Sequence, residues 1–168
     1  MDVIRAILDG IAIAAIFNGA VAAWVLINPR YFFDSYPKAI QKSAPEQMTQ
    51  KEKKINLILT IVICGICFMY SAVSLLHTNL SGFWNLFWMG YIQWSILNLG
   101  DFFLLDCLLF QGKYKDKIVI PGTEGHHDYE FGNWMKHLAI MEHFVLTPFL
   151  IIPFVAAIQA LIVGLSGR

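Results

Sequence analysis

Charged residues are scarce in this 168-residue sequence: they make up 14% of it, against about 25% in an average soluble domain. Disorder is excluded, because a disordered chain has few apolar residues and an excess of charge. An excess of basic residues is also lacking, since twelve Lys and Arg balance twelve Asp and Glu. We therefore expect no nucleic-acid partner, because bulk attraction to phosphates requires a basic surplus.

Cysteine is equally rare, and three residues in a chain of this size exclude a disulfide framework. Cys64 and Cys67 form a C-x-x-C pair in the middle of an apolar stretch, and Cys107 stands alone. A relay through a second cysteine pair is excluded, and a thiol surrounded by lipid forms little of the reactive thiolate. We interpret the pair as small buried residues rather than as a redox centre.

Apolar residues are abundant instead: they make up 57% of the sequence, and the mean hydropathy is +0.58. The stretch 55–100 contains no Asp, Glu, Lys or Arg. It is long enough for two bilayer crossings at about 20 residues each. The only turn-forming residues inside it lie at 77–82, which predicts a helical hairpin.

Two further apolar stretches, 6–27 and 138–165, complete the pattern. The predicted fold is all-α, a four-helix integral membrane bundle in a single domain. Its helices are expected at about 4–27, 45–77, 83–111 and 133–165, with loops at about 28–44 and 112–132. We expect a multi-pass protein of the cell membrane, whose first partner is the lipid bilayer.

The distribution of Lys and Arg predicts the orientation of these helices. Ten of the twelve basic residues fall in or beside the two long loops, and the other two, Arg5 and Arg168, lie near the termini. The positive-inside rule places both loops in the cytoplasm and both termini on the non-cytoplasmic side. Trp134 would then mark the inner membrane interface.

The first loop carries aromatic and apolar residues from Tyr31 to Ile40 between lysines. This mixture predicts a segment that lies on the membrane surface. Ser43 and Glu46 have the spacing of a capping box, with Pro45 between them, so the second helix is expected to begin there.

Ionisable residues inside a membrane-spanning helix cost roughly 2.5–3.5 kcal/mol on insertion scales, yet this sequence has several. They fall at the cytoplasmic ends of the third and fourth helices and in the loop that joins these helices. The members are Asp101, Asp106, His126, His127, His137, Glu142 and His143. We predict that they converge in one polar site at the cytoplasmic side.

Carboxylate and imidazole ligands suit Zn, Mn or Fe. We predict Asp101, His126, His127 and His143 as metal ligands, with Asp101, Asp106, His137 and Glu142 as acid–base groups around a metal-activated water. Asp101 and Asp106 are five residues apart, so they point about 140° away from each other on a regular helix. They can share one ion only if the helix is distorted.

The function expected from such a site is that of a metal-dependent membrane enzyme acting on a lipid or other small amphipathic molecule. The alternative is a protein that binds or transports a small solute, an ion or a proton, as a homo-oligomer because four helices enclose little pore. In a third hypothesis the protein is structural. Asp101 with His143, or Asp106 with His137, would then be ordinary interhelical hydrogen bonds.

The second loop is predicted to be ordered and to fold over the inner mouth of the bundle. Ile118, Val119 and Ile120 are apolar and need a surface to dock on, and Pro121-Gly122 favours a type II turn. The pattern of Asp101 and Asp106 followed by Ile-Pro-Gly-Thr-Glu-Gly at 120–125 resembles a family of small four-helix integral membrane proteins with no established activity. The resemblance implies that these positions are the place to look for a site.

Overall fold

The computed structural model describes residues 2–166, and this part of the chain contains helices and loops but no strand. Four helices are long and apolar enough to cross a membrane: span 1, Val3–Ile27; span 2, Gln50–Leu76; span 3, Phe83–Lys113; and span 4, Phe131–Leu165. The predicted all-α fold with four candidate membrane spans is confirmed. The side on which the termini lie stays a prediction.

The surface and the interior follow the pattern of a protein in lipid. Large apolar side chains such as Phe149, Leu150 and Phe154 are at least two-thirds exposed, while Gln93 and Gln159 are completely buried. An apolar surface of this extent would promote aggregation in water. In a bilayer the same surface faces hydrocarbon.

Span 3 lies against both span 1 and span 4, and small residues allow this close packing. A Cβ atom on Gly10 would lie 2.9 Å from Ile96, and one on Gly100 would lie 3.1 Å from the Ala14 Cβ. Close backbone contact is how helices associate in lipid, because no hydrophobic driving force is left between them.

Spans 3 and 4 do not keep the regular α-helical turn throughout. Span 3 widens into π-helical turns from Asp101 to Lys113, and span 4 does so at Met135–Ala139 and at Glu142–Ile151, which includes Pro148. Residues five apart lie above one another when hydrogen bonds run from i to i+5. The 140° separation of Asp101 and Asp106 expected on a regular helix does not apply to this distorted segment, and the two side chains line the same cavity.

Span 2 begins at Gln50, not at 45, and its capping box is formed by Thr49 and Glu52. Thr49 Oγ1 accepts a hydrogen bond from the Glu52 N–H at 3.2 Å, and Glu52 Oε2 accepts one from the Thr49 N–H at 2.8 Å. The box predicted at Ser43 is wrong, because a residue that precedes proline is held extended. Ala44 has ψ 131° and ends the short helix Lys38–Ser43.

Arg30 binds the segment that leads into span 2 and the first turn of that span. Its Nε donates to Glu52 Oε1 at 2.5 Å, and its terminal nitrogens donate to the Glu46 and Gln47 carbonyl oxygens. The hydrogen bond to Glu52 raises the pKa of Arg30.

The position of the first loop on a membrane surface stays a prediction, but part of this loop is packed inside the protein. It forms the 3-10 helix Pro29–Ser35 and the helix Lys38–Ser43, and Phe33, Tyr36 and Ile40 are buried. The physical reason is the second loop, which offers these side chains an apolar surface inside the protein. The two loops together form a cap over one end of the bundle, whose buried members are Phe33, Tyr36, Ile40, Ile118, Ile120, Tyr129 and Trp134.

Candidate functional site

A cavity of about 270 Å³ lies beneath this cap. Three carboxyl groups and one imidazole line it: Asp101, Asp106, Glu142 and His143. The remaining wall is mostly apolar and aromatic, with contributions from all four spans and the first loop, including Phe17, Val21, Phe32, Ile63, Leu105 and Phe110. Three of the four predicted acid–base residues are thus brought together with His143.

Both ring nitrogens of His143 have an oxygen partner. Nε2 lies 2.9 Å from Asp106 Oδ2, and Nδ1 lies 2.8 Å from Asn98 Oδ1. The Asn98 amide is fixed by its own Nδ2, which donates to the His143 carbonyl oxygen at 2.8 Å. Asn98 Oδ1 accepts from Nδ1, and one further proton lies between Nε2 and Asp106 Oδ2. We assign that proton to the ring, which makes the pair an imidazolium and a carboxylate.

Trp134 completes the environment of Asp106. Its Nε1 donates to Asp106 Oδ1 at 2.8 Å, and its side chain is 2% exposed. Trp134 is therefore not the interface marker that its position predicted. A buried indole needs an acceptor for its N–H, and Asp106 supplies one.

The pairing of acids with histidines differs from the predicted one. Asp106 bonds His143, not His137, and Asp101 makes no hydrogen bond with His143. His137 lies near the start of span 4, where the second loop folds back, and its Nδ1 is 2.9 Å from Asp128 Oδ1. Folding of this loop brings Asp128 to His137, a contact that cannot be predicted from helix geometry alone.

Asp101 and Glu142 have no hydrogen bond or ion pair to any residue in 2–166, although both line the cavity. Asp101 is half-buried and lies in the π-helical part of span 3. These carboxyl groups are therefore available to a guest molecule in the cavity, whereas Asp106 already has two donors.

The remaining histidines form a second group outside the cavity, the loop histidine cluster, which consists of His126, His127, Asp128 and His137. His127 Nε2 lies 3.3 Å from Asp128 Oδ1, and the rings of His126 and His127 stack with centroids 4.5 Å apart. The four predicted metal ligands are thus divided: Asp101 and His143 line the cavity, and His126 and His127 surround Asp128. They do not form the single site that was predicted.

One phenol joins the second loop to the first, and another stabilises the fold of the second loop itself. The Tyr36 hydroxyl donates to the Ile118 carbonyl oxygen at 2.8 Å, and the Tyr129 hydroxyl accepts from the Ile120 N–H at 2.9 Å. Burial raises the pKa of both phenols, so both remain neutral hydrogen-bonding groups. Ile118 and Ile120 are completely buried, which confirms the prediction of a docked, ordered loop.

A further polar network, unpredicted from the sequence, joins three spans away from the cap. The Ser71 hydroxyl donates to Gln93 Oε1 at 2.5 Å, and Trp94 Nε1 donates to Gln159 Oε1 at 2.8 Å. Ser71, Gln93 and Gln159 are completely buried and mutually satisfied. The network ties the helices together, and the signal for it was the presence of two neutral amides within apolar stretches.

Comparison with protein-family models, curated proteins and solved structures finds no match to this chain. The family resemblance of the block from Asp101 to Gly125 therefore stays a prediction.

Proposed function

We propose that this protein binds a small amphipathic solute with a cationic head, in the cavity beneath the loop cap. The observation that carries the proposal is the pair of unpartnered carboxyl groups, Asp101 and Glu142, in a cavity whose other walls are largely apolar. An ionisable residue at membrane depth marks a functional site unless it is paired, and these two are not paired.

The charge of the cavity favours a cation. The charges of His143 and Asp106 offset each other, which leaves the Asp101 and Glu142 carboxyl groups to ionise and pair with a cation. Aromatic walls at Phe17, Phe32 and Phe110 suit both an apolar body and a cationic head. A volume of about 270 Å³ lies just below the usual range of ligand pockets, which begins at about 300 Å³. The solute would therefore be small, with a single ring or a short chain.

Solute binding accounts for this cavity better than metal-dependent catalysis does. Both ring nitrogens of His143 already have oxygen partners, so this residue has no free lone pair for a metal. The loop histidines are engaged with Asp128 instead of Asp101.

We further propose that the membrane is the cell membrane and that the loop cap faces the cytoplasm. The support is the concentration of Lys and Arg in and beside the two loops. The cavity beneath the cap would then exchange its solute with the cytoplasm.

The test uses the protein in lipid nanodiscs and three soluble probes of similar size: benzylammonium, benzyl alcohol and benzoate. Equilibrium dialysis, with empty nanodiscs subtracted, measures binding of each probe. We expect saturable binding of benzylammonium at a single site per chain, and weaker binding of the neutral and anionic probes. Asp101→Asn combined with Glu142→Gln is expected to weaken benzylammonium binding by about tenfold or more, which corresponds to about 1.4 kcal/mol.

Asp34→Asn is the matched control, because it removes an exposed carboxylate from the first loop. It should leave benzylammonium binding unchanged. The proposal fails if benzylammonium shows no saturable binding, or if wild type and the double variant bind it equally.

A further inference from the structure

The loop histidine cluster has no part in the proposed solute site, and it is built around one buried carboxylate. Asp128 is 1% exposed, while the side chains of His127 and His137 are 65% and 41% exposed. His126 Nδ1 accepts a hydrogen bond from the Asp128 N–H at 3.1 Å, within a short 3-10 turn at His127–Tyr129. Three imidazoles thus surround one acid.

The spacing of the donor atoms suits a small cation. One ring nitrogen of His126, one of His127 and a carboxylate oxygen of Asp128 all lie within 4.8 Å of one another. Donors bound to one zinc ion at 2.0–2.2 Å are separated by about 3.4 Å in a tetrahedron. His127 Nε2 and Asp128 Oδ1 already lie 3.3 Å apart. The His127 side chain is 65% exposed, so its ring can turn from its stack with His126 toward a shared ion.

A second observation points to a cation independently of this spacing. Asp128 Oδ2 is buried and has no hydrogen-bond partner within the described chain, although Oδ1 contacts His127 and His137. A buried carboxylate oxygen without a partner is expensive, and native proteins seldom keep one. A cation bound by the Asp128 carboxylate would reduce that cost.

We propose that His126, His127 and Asp128 form a binding site for a divalent transition-metal ion of the zinc class. Two imidazoles and one carboxylate form a mixed nitrogen and oxygen ligand set that suits zinc and leaves a fourth position open. Magnesium and calcium prefer oxygen ligands throughout and are excluded by the two imidazoles.

His137 acts as a positioning residue in this site. Its Nδ1 donates to Asp128 Oδ1, and such hydrogen bonds orient the carboxylates that ligate metals. Because all three ligands belong to the second loop and His137 belongs to span 4, this hydrogen bond joins the metal site to the bundle. The site does not depend on the solute proposed for the cavity.

The experiment uses full-length protein carrying no histidine tag, purified in detergent, stripped with a chelator and titrated with ZnCl₂. Bound metal is counted by elemental mass spectrometry, and affinity is measured against a chromophoric zinc indicator. We expect one zinc ion per chain, a higher melting temperature in zinc, and no competition from an equal concentration of Mg²⁺.

The variant His126→Ala/His127→Ala should bind zinc at least tenfold more weakly and lose the zinc-dependent rise in melting temperature. His137→Phe should keep the one-to-one stoichiometry while weakening affinity by about 10–100-fold. His77→Ala, which removes a histidine at the other end of span 2, should behave as wild type.

Because the side chain of His127 is largely exposed, the single variant His127→Ala is expected to fold and serves if the double variant does not. Absence of stoichiometric zinc in wild type would overturn the proposal. Equal zinc affinity of wild type and a folded His127→Ala variant would do the same.

Discussion

His143 and Asp106 lie 37 residues apart in the sequence, yet their Nε2 and Oδ2 atoms are 2.9 Å apart. Their side chains are only 4% and 8% exposed, so water does not screen the pair. Asn98 on span 3 contacts the other ring nitrogen of His143, and Trp134 on span 4 donates to the other carboxylate oxygen of Asp106. The pair joins spans 3 and 4 and forms the polar wall of the cavity.

Loss of Asp106 should destabilise the protein more than loss of an ordinary interhelical hydrogen bond. Asp106→Leu leaves the His143 cation buried without its counter-charge, and we expect a loss of about 3–5 kcal/mol. A typical interhelical hydrogen bond contributes about 0.6 kcal/mol. The measurement is the free energy of unfolding in mixed micelles, with Asp34→Asn as the control.

Asp106→Leu combined with His143→Phe should recover most of this loss, because an apolar pair of similar size leaves no buried charge. If the single variant loses less than about 1 kcal/mol, the imidazole is neutral in the folded protein and the assignment of an ion pair is wrong.

The capping box of span 2 can be tested against the one that the sequence suggested. Thr49→Ala removes the acceptor for the Glu52 N–H and should cost about 0.5–2 kcal/mol. Hydrogen exchange at the Glu52 amide should accelerate as well. Ser43→Ala is the comparison and should change stability by less than about 0.5 kcal/mol, since Ser43 is exposed and caps no helix. Equal losses in the two variants would contradict the observed start of span 2.

Gly122 is required where the two loops meet. Its φ is +84°, and a Cβ atom there would lie 2.5 Å from Pro45 Cγ. Gly125 has a similar φ of +77°, but a Cβ atom there would meet nothing within 4 Å. Both alanine substitutions carry the backbone strain of about 1–3 kcal/mol, and only Gly122→Ala adds a collision.

Trypsin cleavage after Lys115 and Lys117 reports release of the second loop from the cap. We expect the rate to increase in the order wild type, Gly125→Ala, Gly122→Ala. If the two variants are cleaved equally fast, contact with Pro45 does not hold the loops together.

The orientation in the membrane follows from the positions of Lys and Arg and is tested by single cysteines. Lys115→Cys and Asn79→Cys are placed separately in a protein whose three native cysteines are replaced by alanine. In intact cells, a membrane-impermeant maleimide should label position 79 and not position 115, and lysis should expose both. Labelling of position 115 in intact cells would reverse the predicted orientation.

The start of span 2 shows what a local sequence pattern can and cannot predict about a helix boundary. Two candidate capping boxes lie in the sequence, at Ser43 and at Thr49, and only the second caps a helix. The choice depends on Ala44, which is held extended by Pro45, and on Arg30, which binds Glu52 from 22 residues away. The first of these signals is local, but the second exists only once the chain has folded.

For the polar residues, too, part of the site is predictable from the sequence and part depends on the folded structure. The sequence suffices to identify Asp101, Asp106 and His143 as out of place in lipid, because the cost of an ionisable group depends on its own chemistry. Their partners follow from the π-helical turns of spans 3 and 4, which rotate side chains relative to a regular helix. Trp134 and Asn98 complete the His143–Asp106 pair, and no local sequence pattern indicates either contact.

The sequence by itself determined that this is an all-α protein with four apolar helices of membrane-spanning length. Hydropathy and length are properties of each segment alone, so they can be read along the chain without knowing which segments meet. Only the tertiary structure decided that the two loops form a cap, that Asp106 pairs with His143, and that Asp128 gathers the loop histidines. These contacts join residues that are distant in sequence, and they depend on helix turn geometry and packing, which the order of residues does not display.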